Sequence, residues 1–196
     1  AGVNPQNGNA LWRNEEGLLT ENYGEARRIN AGSPEPLWTG GFNTELSWRG
    51  ISLGIQLEAR YGNKVLNQDR SLFEADGFYG DSNIWKGAMN YWKKPGDTNV
   101  LPKPVYNNSS NSSAISTRYL EDGSYLRIKD ITLAYSLPSK WTKKALMSGV
   151  RIYASALNLY TFHNMNYWDP EHGTTGATII SYPMTRSMIV GVDITF

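Results

Sequence analysis

The chain has 196 residues and a net charge of +1, with its charges scattered, so it lacks the basic patch expected of a nucleic-acid-binding protein. Cysteine is absent, which excludes a disulfide scaffold, a thiolate metal site and a cysteine nucleophile. There is no run of about 18 apolar residues, so no transmembrane helix is predicted, although barrel strands that alternate apolar and polar residues stay compatible with the composition.

The predicted elements begin with a weak strand signal. The sequence starts at Ala1 without an initiator Met or an apolar leader, so we expect a processed chain or a piece of a longer one. Residues 9–13 are a candidate end of an earlier strand, and a long polar loop at 14–37 follows.

The clearest strands lie at residues 40–49 and 51–62, where apolar and polar side chains alternate around the hairpin turn Arg49-Gly50. Each runs to roughly ten residues, close to the ~9–11 needed to cross a bilayer. The polar face of this hairpin would line the lumen of a barrel or face solvent in a soluble sandwich. Its candidate residues are Glu45, Arg49, Gln56, Glu58 and Arg60.

Three further strands are predicted at residues 124–137, 150–162 and 184–196. In the first of them the apolar phase shifts, which predicts a β-bulge near Lys129-Asp130. The fold class is therefore all-β and antiparallel.

The connections fall into two length classes. Because antiparallel strands alternate in direction, the long loops at 14–37, 63–123 and 163–182 emerge on one side, and the short links at 49–50 and 138–149 on the other. This asymmetry is typical of outer-membrane barrels. Within the second long loop we expect a short helix at 84–92, and a mobile tip at the Asn/Ser tract 107–113.

A specific motif lies at residues 118–138, which read RYLEDGSYLRIKDITLAYSLP. This run closely resembles the C-terminal region of SusC/RagA-type TonB-linked outer-membrane proteins. Other segments match in the family's order, so the resemblance covers essentially the whole chain. These segments are 1–8, 40–64, 150–162, YWDPE at 167–171, Tyr182-Pro183 and the terminal Phe196.

The resemblance implies that the chain is the C-terminal part of a transmembrane β-barrel of about 22 strands, in the outer membrane of a Gram-negative bacterium. It implies TonB-dependent import of bulky nutrients, such as oligosaccharides or peptides. The expected partners are a SusD-like surface lipoprotein, TonB acting through an N-terminal plug, the rest of the barrel and outer-membrane lipid. This sequence contains neither the plug nor the earlier strands.

Two further sets of residues fit a barrel. The end of the chain is similar to the barrel-assembly signal, through Gly191, Ile194 and Phe196, although its expected polar position is Ile189. Aromatic residues near predicted strand ends fit interfacial girdles, with ordinary core packing as the alternative. They are Trp48, Tyr61, Tyr135 and Trp141.

No catalytic, cofactor or metal site is predicted, so we expect a non-enzyme. His163 and His172 lie near Asp169 and Glu171, but a predicted loop gives them no fixed ligand spacing, and solvated loop residues are the simpler interpretation. A rival hypothesis is a soluble extracellular β-sandwich that binds carbohydrate through exposed aromatic residues. In either case the loop candidates for substrate or partner contact are Trp85, Tyr91, Trp92 and Trp168.

Overall fold

The computed structural model describes residues 1–78, 83–108, 110–173, 176–178, 182 and 184–196. The chain divides into two compact units. The loop unit comprises residues 1–32, 66–120 and 177–180, and the sheet unit comprises 33–65, 121–176 and 181–196. None of the helices in the described part has the length and apolar character to cross a membrane.

The strands are β1 Gly2–Val3, β2 Ala10–Arg13, β3 Leu19–Thr20, β4 Trp38–Trp48, β5 Ile51–Tyr61, β6 Lys64–Leu66, β7 Leu120–Asp122, β8 Tyr125–Ser136, β9 Gly149–His163 and β10 Ser187–Thr195. Two short α-helices, α1 Gln68–Phe73 and α2 Ser139–Thr142, accompany them. Single 3-10 turns lie at Tyr23–Glu25, Lys86–Met89, Tyr106–Asn108, Thr117–Tyr119, Lys143–Ala145 and Pro170–Gly173.

Five of the strands form one sheet, in the order β4-β5-β8-β9-β10, and every neighbouring pair is antiparallel. The spatial order follows the chain order, so the sheet is an up-and-down meander. Each strand hydrogen-bonds to the one before it, and no crossover connection interrupts the five.

The β4–β5 hairpin turns through Arg49 and Gly50, which both have positive φ angles, 49° and 88°. Two positive φ angles define the type I′ turn, whose twist matches that of paired strands. Gly50 is required for a second reason, because a Cβ there would lie 2.9 Å from the carbonyl oxygen of Ser136.

The bulge predicted near Lys129-Asp130 is confirmed. The β8–β9 register shifts between Ile128 and Asp130, and the β5–β8 register shifts between Gln56 and Leu57. The extra residue in β8 restores alternation beyond the shift, so Asp130 pairs with Gln56 and Ile131 with Ile55.

One face of the sheet is apolar and open. A single row of directly paired residues crosses all five strands, and it consists of Leu46, Leu53, Leu133, Ala154 and Val190. Leu46 and Val190 expose 62% and 78% of their surface. A contiguous exposed apolar face of this kind marks a surface that meets another apolar medium or partner.

The apolar face has the height of a bilayer core. Trp38 and Trp48 stand on this face at the two ends of β4, ten residue steps apart. At ~3.3 Å per residue this is ~33 Å along the strand, and a tilt of ~35–45° leaves about 25 Å along the normal, which is the height of the apolar band of outer-membrane barrels.

The loop unit differs from the sequence-based expectation in two places. The helix expected at 84–92 is only a 3-10 turn over Lys86–Met89, because Gly87 and Asn90 are poor helix formers. Where a mobile tip was expected in the Asn/Ser tract, Asn108 and Ser112 are buried. The Asn108 side chain accounts for this, because its amide donates to Ala75 O and its oxygen accepts from the Ser112 backbone at 3.0 Å.

Candidate functional site

A charge network lies on the polar face of the sheet, around Arg127 of β8. The Arg127 side chain is completely buried. Its guanidinium binds the carboxylate of Asp169 through Nη2, and its Nη1 lies 2.7 Å from Oε2 of Glu171. Arg127 therefore holds the Asp-Pro-Glu segment, which lies in the loop after β9, against β8.

Lys129 continues this network along β8. Its Nζ lies 3.1 Å from Glu171 Oε2 and 3.1 Å from Glu58 Oε2 of β5. Glu58 also accepts a hydrogen bond of 2.7 Å from the hydroxyl of Tyr125. The Arg127 network, which comprises Glu58, Tyr125, Arg127, Lys129, Asp169 and Glu171, thus alternates positive and negative groups across two strands and one loop.

The geometry of the network explains why charges can be buried there. Desolvation of a buried ion costs several kcal/mol and is offset only where partners satisfy it on more than one side. Arg127 has two carboxylates and the ring of Tyr125, whose centroid is 5.6 Å from its Cζ. Removal of Arg127 would leave the Asp169 carboxylate without its cation.

The structure places four of the five predicted polar-face residues on one face of the hairpin. Glu45 is exposed opposite Gly54, Gln56 pairs with Asn43, and Arg60 lies 3.8 Å from the Glu58 carboxylate. Glu58 alone among them is part of the Arg127 network. Arg49 lies instead in the hairpin turn, with its Cζ 4.8 Å from the ring centroid of Trp48, because a positive φ ends the strand at that residue.

A cleft of about 370 Å³ adjoins the Arg127 network at the end of β9 that leads into the last long loop. We call it the Trp168 cleft, and its lining residues are Arg127, Asn158, Thr161, His163, Tyr167, Trp168, Asp169, Met184 and Arg186. The indole Nε1 of Trp168 and the Nε of Arg127 are buried without a hydrogen-bond partner among the described residues. The lining thus combines two cationic residues with two N–H donors that meet no acceptor in the part of the chain that the structure describes.

Asn158 shapes this cleft through a local break in β9. Its φ is 50°, and its side-chain Nδ2 donates to Thr185 O at 3.2 Å. The positive φ redirects the side chain toward the segment that precedes β10. That hydrogen bond ties to β9 the backbone of the residue that precedes Arg186.

Three of the four predicted interfacial aromatics lie in the strands, at the two ends of the apolar face. Trp48 and Tyr135 lie at the hairpin-turn end, where Ile51 pairs with both. Tyr61 lies at the other end and stacks on Trp38 at 6.1 Å between ring centroids. Trp141 is exposed in the α2 link between β8 and β9.

The four loop aromatics belong to different units, with Trp85, Tyr91 and Trp92 in the loop unit and Trp168 in the sheet unit. Trp85 stacks on Phe73 at 4.8 Å, and Trp92 donates from Nε1 to Pro5 O at 3.1 Å, so both have packing roles in the loop unit. Tyr91 is bridged to Leu101. Among the four candidates, Trp168 lines the cleft of the sheet unit.

The residues of the predicted assembly signal lie along β10 and its end. Ile194 is on the apolar face opposite Val150, and Phe196 is 86% exposed. Gly191 pairs with Tyr153, and a Cβ at Gly191 would lie 2.5 Å from the Tyr153 ring. This glycine therefore also makes room for an aromatic side chain across the strand pair.

The loop unit contains a second cleft, of about 320 Å³, with a mainly apolar lining that includes Trp12, Leu101 and Pro102. Beside it, Arg118 binds Asp76 through Nη1 at 2.5 Å and Nη2 at 3.0 Å. Burial lowers the pKa of Arg118, but the hydrogen bonds and charge of Asp76 outweigh it and raise that pKa. Burial raises the pKa of Tyr119, so its hydroxyl stays neutral.

Within the described residues, no group of three or more His, Asp or Glu side chains is arranged to hold a metal ion. The side chain of His172 and residue Pro183, both named in the sequence analysis, lie outside the described residues.

Sequence reasoning missed Arg127 and Lys129. Their signal was present, because they alternate with Leu126 and Ile128 and so belong to the polar face of β8. Their partners Asp169 and Glu171 lie about 42 residues further along the chain, and no periodicity connects a strand to a loop at that distance.

No family model matches the chain. Among curated proteins, TonB-dependent receptor P3 of Formosa agariphila is 29% identical over 182 residues, which cover 87% of this chain and 17% of the receptor. TonB-dependent receptor P26 of the same bacterium is 27% identical over 180 residues, covering 84% of this chain and 17% of the receptor.

Among solved structures, those of a peptide transporter match this chain. The RagAB peptide transporter matches with a TM-score of 0.84 and 29% identity over 100% of this chain and 22% of the matched one. The RagAB peptide importer in its closed-closed state matches with a TM-score of 0.84 and 28% identity. The chain spans about a fifth of the length of these relatives. These matches confirm the predicted all-β fold class and the resemblance first carried by residues 118–138.

Proposed function

We propose that this chain, as part of a SusC/RagA-type TonB-linked outer-membrane protein, forms a segment of the wall and outer vestibule of a TonB-dependent importer. The importer takes up bulky nutrients, peptides or oligosaccharides. Because the chain spans about a fifth of its relatives, transport is the activity of the larger barrel to which it contributes.

One observation carries this proposal: the five-stranded sheet has an exposed apolar face on one side and the buried Arg127 network on the other. A soluble protein covers the apolar face and exposes the charges. An outer-membrane barrel does the reverse, with an apolar band toward lipid and a polar interior. The orientation of charge and apolar surface therefore favours a barrel wall.

If the apolar face contacts lipid, the predicted site residues take up the following positions in the barrel. Glu45, Gln56, Glu58 and Arg60 face the lumen, and Gly191, Ile194 and Phe196 belong to the signal for barrel assembly. The aromatic residues at the two ends of the apolar face, Trp48 and Tyr135 at one and Tyr61 at the other, lie at the membrane interfaces.

The loops connect the wall to its partners. The long loops at 63–123 and 163–182 form the outer vestibule and offer a contact surface for a SusD-like surface lipoprotein. TonB acts through the plug of the complete protein. The chain itself carries out no chemical reaction, and the transported molecule is guided by side chains such as those of the Trp168 cleft.

Uptake by the complete gene product tests the proposal. Cells that produce it should import labelled peptides or oligosaccharides, and uptake should stop when TonB is deleted. The protein should be recovered from the outer-membrane fraction in detergent. A detergent-free soluble product, or uptake that persists without TonB, would contradict the proposal.

The soluble carbohydrate-binding sandwich receives less support. Two of its four aromatic candidates, Trp85 and Trp92, are engaged in packing within the loop unit. A sandwich would also cover the apolar face with a second sheet, whereas in the described part of the chain Leu46, Leu133 and Val190 stay exposed on that face.

A further inference from the structure

We propose that the Trp168 cleft is a subsite that binds a carboxylate group of the imported nutrient. This inference rests on the proposed function and specifies the chemistry of the nutrient: a peptide with a free carboxylate, or an oligosaccharide that contains uronic acid. Both sources present the same planar anion to the cleft.

The first argument is the balance of donors and acceptors around the cleft. Asp169, the one carboxylate in its lining, has both oxygens engaged by Nη2 of Arg127. The indole Nε1 of Trp168 is a donor without an acceptor among the described residues. A buried donor that lacks an acceptor is costly, and a ligand oxygen would remove that cost.

The second argument is charge. The lining contains two guanidinium groups, those of Arg127 and Arg186, against the single carboxylate of Asp169. Arg127 is already neutralised by Asp169 and Glu171, whereas the exposed Arg186 forms no ion pair with a described residue. The planar fork of arginine matches a carboxylate through two parallel hydrogen bonds.

The third argument is the fixed geometry of the donors. Trp168 directly precedes Asp169, which Arg127 holds against β8, and Asn158 ties the segment next to Arg186 to β9. The Trp168 donor and the backbone next to Arg186 are thus held in place before a ligand arrives, which lowers the entropic cost of binding. The remaining space of about 370 Å³ has room for the group that carries the carboxylate.

The test uses the complete gene product purified in detergent and two matched ligand pairs. One pair is a peptide with a free C-terminal carboxylate and the same peptide as its amide. The other pair is an oligouronate and the neutral oligosaccharide of equal length. In the wild-type protein, at least one acidic ligand should bind about tenfold more tightly than its neutral partner, as expected for a charge-assisted hydrogen bond.

The variant Arg186→Gln should abolish that preference, because it should weaken the acidic ligand about tenfold more than its neutral partner. Arg186→Lys should retain part of it, since the charge stays and the fork is lost. The matched control is Arg151→Gln, also in the sheet unit, where Arg151 Nη1 lies 3.2 Å from Asp193 and outside the cleft lining. This control should keep the full preference.

The variant Trp168→Phe keeps an aromatic ring and removes the N–H donor, so it should weaken only the acidic ligands, by about threefold to tenfold. Folding of each variant is checked by its recovery from the outer membrane and by heat-modifiable migration on gels. The proposal is overturned if acidic and neutral ligands bind alike, or if Arg186→Gln weakens both members of a pair equally.

The pairs also separate the two carboxylate sources. A preference confined to the peptide pair assigns the subsite to peptide carboxylates, and one confined to the oligouronate assigns it to acidic sugars. Uptake of the neutral ligands in whole cells reports on the importer itself. Neutral uptake without any carboxylate preference would therefore overturn this inference and leave the proposed function standing.

Discussion

The sheet unit and the loop unit differ in which kinds of side chain they bury and expose. In the sheet, backbone ladders join β4, β5, β8, β9 and β10, while large apolar side chains such as Leu46 and Val190 stay exposed. In the loop unit, with its few short elements, the buried side chains include Asp76, Asn108 and Ser112.

The difference teaches which forces specify each region. A meander of long strands needs only alternation and correct turns, so most single positions in it are replaceable by residues of similar polarity. A loop unit stabilised by hydrogen-bonded polar groups depends on particular pairs, because one lost partner leaves a buried group unsatisfied. Substitutions should therefore act by polarity in the sheet and by identity in the loop unit.

Arg127→Met should have the largest effect, because the buried Arg127 is a position in the sheet where identity, rather than polarity alone, is expected to matter. Loss of the guanidinium leaves Asp169 without its cation and Glu171 with Lys129 alone, at a cost of about 3–5 kcal/mol. Limited proteolysis should then cut the segment around Asp169 much faster than in the wild type. The control Arg151→Met, at an exposed pair, should change cleavage little. Equal cleavage in both variants would contradict the role of Arg127.

Phe42→Arg and Asn43→Arg test the polarity rule at adjacent positions of β4 that face opposite sides. Arginine in place of Phe42 would face lipid near the middle of the strand, at a cost of about 2–4 kcal/mol. Arginine in place of Asn43 would enter a hydrated interior and cost little. Folding titrations of the complete protein in lipid vesicles measure both values, and equal losses would indicate that the apolar face does not contact lipid.

Asp76→Asn tests the identity rule in the loop unit. It keeps the shape of the side chain, but it replaces the carboxylate that binds Arg118 and accepts from the Ser112 hydroxyl at 2.7 Å. We expect a local loss of about 2 kcal/mol, in the range for a charged hydrogen bond. Amide hydrogen exchange over residues 110–119 should accelerate accordingly. Asp97→Asn, at an exposed turn, is the matched control and should leave that exchange unchanged.

This contrast also explains what the sequence could predict. The hairpin was readable because alternation and an Arg49-Gly50 turn are local signals, and the bulge showed as a phase shift at Lys129-Asp130. The family resemblance supplied the fold class. The Asn/Ser tract was misread as mobile, since the partners that bury Asn108 include Ala75, far away in the sequence. The donors of the Trp168 cleft lie close together because Arg127 binds Asp169, which is 42 residues away in the sequence.

The smallest expected effect is a pH dependence in the loop unit. Burial raises the pKa of Asp69, which lies in the first turn of α1 and has its Oδ2 without a hydrogen-bond partner among the described residues. The folded state therefore holds this proton more tightly than the unfolded chain does. Stability falls as the pH rises from the ordinary Asp pKa through the raised value, and the penalty is complete above it.

Asp69→Asn removes the buried charge and keeps the size of the side chain, so it should stabilise the loop unit at pH 7 by less than about 1 kcal/mol, because the helix N-terminus already favours an anion there. Below the ordinary Asp pKa the two proteins should be equally stable, since both side chains are then neutral. Hydrogen exchange of α1 at pH 7 and at acidic pH measures the difference. If the Asn variant is less stable at pH 7, the dipole of α1 outweighs desolvation, and Asp69 then stabilises the loop unit as an anion, like the paired carboxylate of Asp76.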